Sequence, residues 1–199
     1  MAQVISADEI KKTFPGYLPE KAEQFHHESA RKADRDFLNA LKSNPYHDVI
    51  LLNGGTASGK SEFLATQLAR KRCVVLDATM TTEKGASIKI REIRKAGKAP
   101  VIYSVIPDSL NRAFIAFLNR DRKFSDEHFY RTHSGSRKTL LWIATNYPEI
   151  DVNIIESSYT QDQNLQFAKI EFPKRQELIS YLNGIQLTED DIISQIGLR

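Results

Sequence analysis

Residues 49–68 read VILLNGGTASGKSEFLATQL, and this stretch decides the fold. Its centre, from Gly54 to Ser61, matches the pattern GxxxxGKS of a phosphate-binding loop, or P-loop. The apolar residues before the loop predict a short buried strand. The residues after it predict a helix from Lys60 to about Arg72. A strand, a glycine-rich loop and a helix in this order are typical of an α/β fold with a parallel sheet.

The residue types in the loop predict a nucleotide site for ATP or GTP. Glycines let the backbone curl so that successive N–H groups point at phosphate oxygens, and the following helix adds its positive N-terminal end. Lys60 is expected to reach the outer phosphates, and the Ser61 hydroxyl to bind Mg²⁺. The predicted cofactor-binding residues are Gly54, Gly55, Thr56, Ala57, Ser58, Gly59, Lys60 and Ser61.

A second acidic signal follows the next apolar run. Residues 74–79 read VVLDAT, and an apolar strand that ends in an acid is typical of a Walker B motif. Asp77 would then bind Mg²⁺ directly or through water. The alternative is an aspartate that only caps the loop after a strand. The chain has no Asn-Lys-x-Asp run after a strand, which favours ATP or a permissive site over a switch GTPase.

Short apolar runs alternate with amphipathic patterns along the remaining chain. Strands are predicted at 2–6, 48–53, 73–76, 100–106 and 152–156, with a short one at 167–172. Helices are predicted at 7–12, 19–42, 60–72, 82–96, 108–119, 125–146, 173–182 and 188–196, the last two on the surface. Strand 48–53 should be central, with 73–76 and 100–106 parallel to it. We expect a three-layer α/β P-loop fold with a mostly parallel sheet. It should form one domain over 1–199, with a core at 1–156 and an extension at 157–199.

Composition excludes several classes of protein. The chain has 199 residues, 41% of them hydrophobic and 27% charged, which is an ordinary globular mixture. No apolar run approaches the roughly 20 residues that cross a bilayer, and the N-terminus does not resemble a secretory signal. The net charge of +3 is too small to indicate nucleic-acid binding. The single cysteine, Cys73, lies in an apolar run and predicts a buried strand residue in a cytoplasmic protein.

Segments around the P-loop resemble the zeta toxin family of P-loop kinases. The resemblance lies in Asp8-Glu9-Ile10-Lys11, in Pro15-Gly16-Tyr17, in His27-Glu28-Ser29-Ala30 and in Asp77-Ala78-Thr79. Gly97, the strand at 101–106 and residues 112–123 also resemble family segments, so the likeness covers about residues 3–156. It implies a kinase that transfers the γ-phosphate of ATP or GTP to a small-molecule hydroxyl, such as that of a UDP sugar. It also implies an antitoxin protein as a partner.

The order of the segments differs from that of the family. The family's P-loop precedes its DE-x-K segment, whereas DEIK here lies about 45 residues before the P-loop. The chain therefore resembles a permuted version, which requires residues 2–6 to form an outer parallel strand beside 73–76. By resemblance, Asp8 is the base that takes the proton from the acceptor hydroxyl. The alternative for Asp8 is an acid in the first turn of a short helix.

The basic stretch at 109–140 supplies candidates for arginines over the γ-phosphate. By resemblance these lie in NRDRK, which makes Arg120 and Arg122 the choices on a helical lid, with Arg112 or Arg131 as substitutes. A solvated helix face is the alternative reading of these charges. The histidines His26, His27, His128 and His133 do not have metal-site spacing and are expected to be structural or solvated.

Two other functions fit the sequence. One is a P-loop kinase of a nucleoside, a nucleotide or an antibiotic. The other is a module that binds or hydrolyses a nucleotide and acts on a partner protein. Asp8 distinguishes these classes, because a kinase needs a base beside an acceptor cavity and a binding module does not.

Overall fold

The computed structural model describes residues 1–160 and 164–197. Within them the strands are β1 (Gln3–Ser6), β2 (Asp48–Asn53), β3 (Val74–Asp77), β4 (Ala99–Pro107), β5 (Asp151–Tyr159) and β6 (Leu165–Ile170). The helices are α1 (Ala7–Lys11), α2 (His26–Ser43), α3 (Lys60–Phe63), α4 (Glu83–Lys95), α5 (Leu110–Asn119), α6 (Asp126–Asn146), α7 (Arg175–Gly184) and α8 (Glu189–Gly197).

The six strands form one sheet in the order β1-β3-β2-β4-β5-β6. The first five run parallel, and β6 pairs antiparallel with β5. The predicted fold class, a mostly parallel α/β sheet, is therefore confirmed. The central place of β2 and the outer place of β1 beside β3 are confirmed as well. A permuted segment order would require this place for β1.

Helices cover both faces of the sheet unequally. On one face, α2, α4, α6 and α7 pack on alternating strand residues such as Val49, Leu51 and Leu76. On the other face, Phe63 of α3 and Leu68 pack on Ile50 and other strand residues. A third cluster joins α5, α8 and the start of α6. The alternation follows from the period-two geometry of a strand, which turns successive side chains to opposite faces.

Two helices differ from their predicted bounds by more than two residues. The helix predicted at 19–42 begins only at His26, after a 3-10 turn at Pro19–Lys21. The chain turns here around an aromatic cluster in which the Phe25 ring lies 6.2 Å from Phe14 and 5.7 Å from Tyr17. The prediction of one continuous helix from Pro19 was therefore wrong.

The helix after the P-loop is also shorter than predicted. It is α-helical only over Lys60–Phe63 and continues as a π-helix over Leu64–Leu68, so the predicted end near Arg72 was wrong. Phe63 and Leu68 are both buried. They lie five positions apart, and the i to i+5 spacing of a π-turn brings such residues over one another.

The segment after residue 156 packs on the rest of the chain. Strand β6 extends the sheet, α7 adds Leu178 and Leu182 to the largest core cluster, and α8 adds Ile192 to the third. The division into a core and an extension stays a prediction, and residues 161–163 and 198–199 of it lie outside the described residues. Among the described residues, no helix combines the length and the apolar character needed to cross a membrane.

Candidate active site

The loop between β2 and α3 has a backbone conformation that depends on its glycines. Gly54 and Gly59 have φ angles of 138° and 87°, a region that residues with side chains rarely adopt. A Cβ atom at Gly54 would also lie 2.4 Å from the carbonyl oxygen of Val105 in β4. Between the two glycines, Ala57 has a φ of 57°. The loop therefore has a tight curl that few other sequences permit.

Lys60, the first residue of α3, bends back over this curl. Its Nζ donates hydrogen bonds of 2.8 Å to the carbonyl oxygens of Gly54 and Gly55. Burial lowers the pKa of Lys60, while the charges of Asp77 and Asp8 oppose that shift. The ammonium group thus lies at the mouth of the loop, beside the helix N-terminus that favours an anion.

Asp77 ends β3 at the level of the sheet where β1 and β2 also end. In register, Asp77 pairs with Ser6 of β1 and with Leu52 of β2. Its Oδ2 accepts a hydrogen bond of 3.2 Å from the Ser6 hydroxyl. Burial raises the pKa of Asp77, and the nearby charge of Lys60 acts against this. Lys60 offsets the effect of burial only in part, so a further positive charge would stabilise the ionised form of Asp77.

Asp8 lies in the first turn of α1, two residues after β1. The Lys11 ammonium lies 3.0 Å from Asp8 Oδ1, and Arg122 Nη1 lies 2.5 Å from Oδ2. Burial raises the pKa of Asp8, but Arg122 and Lys11 outweigh it, so the net shift is downward. Asp8 is therefore ionised at neutral pH. Asp8 is thus an acid in the first turn of a short helix, as the alternative interpretation expects. It also pairs with Arg122, which is far away in the sequence.

Arg120 caps the C-terminal end of α5 and reaches the P-loop. Its Nη1 donates a hydrogen bond of 3.3 Å to the Thr56 hydroxyl. Its guanidinium carbon lies 4.5 Å from the ring centre of Phe117 and 5.5 Å from that of Phe124. Burial, together with the charge of Arg122, lowers the pKa of Arg120 to about 10. Nε and Nη2 are buried and have no partner among the described residues, which costs free energy.

These groups line one cavity of about 660 Å³. The structure brings together every candidate residue from Thr56 to Ser61, with Asp8, Asp77, Arg120 and Arg122; Gly54 and Gly55 contribute their carbonyls to Lys60. The carboxyl ends of parallel strands form such a crevice. Arg122 does not lie on a helix but in the connection between α5 and α6, so the helical lid expected for it was wrong.

Neither substitute arginine takes the same place. Arg112 is exposed and donates a hydrogen bond of 3.2 Å to the carbonyl oxygen of Tyr159, and Arg131 is exposed. Among the histidines, His133 is fully buried against the P-loop, and His128 packs on Phe124 with ring centres 4.4 Å apart.

Three residues that contact the candidate site were not among the predicted site residues. Lys11 is completely buried, with Asp8 on one side and the Phe124 ring 4.6 Å away on the other. Thr132 and His133 of α6 contact Thr56 in the P-loop. A signal was present in both cases. Lys11 falls in the quoted DEIK segment, and α6 carries an unusual row of polar residues at buried positions.

The lining of the cavity is of mixed character. Its charged residues include Asp8, Asp77, Arg122 and the ion pair of Lys89 with Asp34. Ala57, Ala116, Tyr159 and Leu165 also line the cavity. Leu165 Cδ1 lies 3.5 Å from the position of a Cβ at Gly59, so the β5–β6 hairpin reaches the end of the P-loop.

Solved structures share this fold. The crystal structure of the AvrRxo1-ORF1:AvrRxo1-ORF2 complex with sulphate ions contains a chain that aligns at a TM-score of 0.51 and 13% identity. The alignment covers 85% of this chain and 74% of that one. The structure of the same complex with ATP aligns at 0.51 and 12% identity, over 86% and 75%. No family model matches this chain, and no curated protein sequence matches it either. At such identity the likeness shows a common fold, and the zeta toxin resemblance stays an interpretation of the sequence.

Proposed function

We propose that this protein is an ATP- or GTP-dependent phosphotransferase that moves the γ-phosphate to a hydroxyl group of a small molecule. The observation that carries the proposal is the position of Asp8. An ionised carboxylate shares one cavity with the P-loop lysine Lys60 and with Asp77. A module that only binds a nucleotide has no need of such a group, whereas a kinase needs a proton acceptor near the phosphate.

Each candidate residue has a role that follows from its chemistry. The N–H groups of the loop and the Lys60 ammonium would hold the β- and γ-phosphates. Arg120 lines the cavity beside the loop, and its guanidinium charge suits the oxygens of a phosphate under transfer. Asp8 would orient the acceptor hydroxyl and take its proton as the bond to phosphorus forms. Arg122 forms an ion pair with Asp8 and would neutralise negative charge near the reacting atoms.

The residues present also fit a magnesium ion. Asp77 is a buried carboxylate with a raised pKa, and a divalent cation would stabilise its charged form. Ser61 lines the same cavity and offers a hydroxyl oxygen. Among the described residues no group of three His, Cys, Asp or Glu side chains could hold a metal. Mg²⁺ does not need such a group, because it keeps waters and phosphate oxygens as ligands. When bound, it would neutralise charge on the phosphates.

The cavity is lined both by charged residues and by residues that offer apolar surface. We propose that the base lies against Ala57, Ala116, Tyr159 and Leu165, which are in the second group. The acceptor would then lie near the charged residues that include Asp8. One structure of similar fold is a complex with ATP, which supports a nucleotide here.

The resemblance stated above favours a nucleotide sugar, such as a UDP sugar, as the acceptor, and an antitoxin as a partner. The structures of similar fold are complexes of two proteins, which supports a protein partner for this chain. Growth of cells that express the wild-type chain or Lys60→Ala tests the toxin idea. Slower growth with the wild type alone is expected, and equal growth of both would contradict it.

A transfer assay tests the proposed reaction. The purified chain is incubated with γ-labelled ATP or GTP, Mg²⁺ and a panel of UDP sugars, nucleosides, nucleotides, antibiotics and cell extract. We expect label on a small molecule with the wild type and none with Lys60→Ala. Lys84→Ala is the control, because Lys84 is an exposed lysine on α4. Nucleotide binding without any labelled product would favour the binding module instead.

A further inference from the structure

Thr56, in the middle of the P-loop, uses all three of its polar groups in contacts with other elements. Its N–H donates to Thr132 Oγ1 at 3.1 Å. Its carbonyl oxygen lies 2.8 Å from Nε2 of His133. Its hydroxyl oxygen accepts from Arg120 at 3.3 Å. One loop residue is thus joined to α6 by its backbone and to the end of α5 by its side chain.

The contact with α6 defines the protonation of His133. A carbonyl oxygen only accepts hydrogen bonds, so the proton of the ring lies on Nε2. Nδ1 is then free to accept from Arg137 Nη1, which lies 3.2 Å away. Complete burial, with Arg137 close by, holds the pKa of His133 well below its ordinary value. The neutral ring therefore holds the carbonyl group of Thr56 in one orientation. The backbone of Thr56 is fixed in this way, and so is the direction in which its side chain leaves the backbone.

The contact with Arg120 has a consequence for the cavity. One nitrogen of the guanidinium bonds to Thr56, while the rings of Phe117 and Phe124 lie against the group. Its other two nitrogens are buried without partners among the described residues. Because a guanidinium is planar, fixing one nitrogen and the plane also fixes the directions of the remaining donors.

We propose that the Thr56 hydroxyl is a positioning group, which holds Arg120 beside the P-loop so that its guanidinium charge faces the terminal phosphate of a bound nucleoside triphosphate. This role rests on the proposed function, since it needs a triphosphate in the P-loop. P-loop residues are expected to bind phosphates through their backbone N–H groups, and this role adds a function for a side chain. It makes the side chain at position 56, rather than the loop shape alone, a determinant of how strongly the site prefers a triphosphate to a diphosphate.

Two substitutions separate the hydroxyl from the shape of the residue. Thr56→Val removes the hydroxyl and keeps the branched side chain, whereas Thr56→Ser keeps the hydroxyl. The readout is the ratio of the dissociation constants for ADP and ATP, measured by calorimetry with Mg²⁺, which does not need a known acceptor. We expect Thr56→Val to lower this preference for ATP by about tenfold, with ADP affinity changed less than about twofold. Thr56→Ser should keep most of the preference.

A double-substitution cycle links the effect to Arg120. Arg120→Ala alone should lower the ATP preference, and adding Thr56→Val should lower it little further, because both act through the same guanidinium. If Thr56→Val does not fold, Thr56→Ala carries the same expectation. An unchanged ATP preference in Thr56→Val, or an equal loss of ADP and ATP affinity, would overturn the positioning role alone. A wild-type chain that binds neither nucleotide would overturn the proposed function together with this inference.

Discussion

The side chains of Asp8 and Arg122 form an ion pair of 2.5 Å, although one belongs to the first helix and the other to the connection between α5 and α6. Both side chains line the cavity that contains the P-loop. In the proposed reaction, the acceptor hydroxyl would meet the phosphate near this carboxylate and this guanidinium.

Replacement of the carboxylate tests its role as a base. Asp8→Asn keeps the shape of the side chain and removes the proton acceptor. We expect unchanged ATP affinity and a rate of phosphoryl transfer lower by roughly 10²-fold or more. Glu9→Gln is the matched control, because Glu9 is an exposed acid on the same helix and pairs with the exposed Lys12. Full transfer activity in Asp8→Asn would exclude Asp8 as the base.

The pH profile of transfer depends on Lys11. Arg122 and Lys11 hold the pKa of Asp8 below its ordinary value of 3.8, so Asp8 should not limit activity near neutral pH. In Lys11→Met one of these cations is lost, and the Asp8 pKa should rise. Any acid limb of the rate profile that comes from Asp8 should move to higher pH, while Lys12→Met, an exposed neighbour, should leave it in place.

The same pKa shift affects stability. Because the Asp8 pKa is lowered in the folded state, its ionised form stabilises the fold above the unfolded pKa, and this stabilisation is lost as the pH falls through the folded pKa. Urea unfolding of the wild type and of Lys11→Met measures it at several pH values. A smaller loss of stability with acid in Lys11→Met is expected. Identical pH dependence in both proteins would contradict the coupling.

The proposed base end of the cavity can be filled without touching the phosphate site. Ala116 lies on α5 between Arg112, which bonds to Tyr159, and Arg120, which bonds to Thr56. Ala116→Trp should weaken ATP by about tenfold or more, because the indole occupies the space proposed for the base. Binding of inorganic tripolyphosphate should be unaffected.

Leu118→Trp serves as the control for this experiment. Leu118 is on the same helix and is 47% exposed, so a larger ring there meets solvent. Equal weakening of ATP and tripolyphosphate in Ala116→Trp would mean that the substitution disturbs the loop. Unchanged ATP affinity would place the base elsewhere.

Close packing between the P-loop and α6 predicts a stability effect. A Cβ atom at Gly55 would lie 2.4 Å from the ring of His133, which is a steric clash. Gly55→Ala should therefore lower the free energy of unfolding by about 1–3 kcal/mol, as overpacking of a core does. Urea denaturation measures the change. In a His133→Ala background the same substitution should cost less, and an equal cost there would contradict the steric explanation.

The sequence by itself determined the parts of this protein that depend on neighbouring residues. The stretch GGTASGKS specifies a tight curl, because its glycines adopt backbone angles closed to other residues. Apolar runs before it and after it specify buried parallel strands, since only a covered sheet accepts side chains that are apolar on both faces. Asp77 followed from the same logic, as the last residue of such a run.

Only the tertiary structure decided which remote side chains meet the loop. The burial of Lys11 depends on the Phe124 ring, and the contacts of Thr56 depend on how α5 and α6 pack over it. The π-turn after Phe63 depends on packing against the sheet as well. Local sequence does not specify these contacts, even where it marks a residue such as Lys11, because their free energy comes from residues far apart in the chain. They exist only once the strands and helices are assembled.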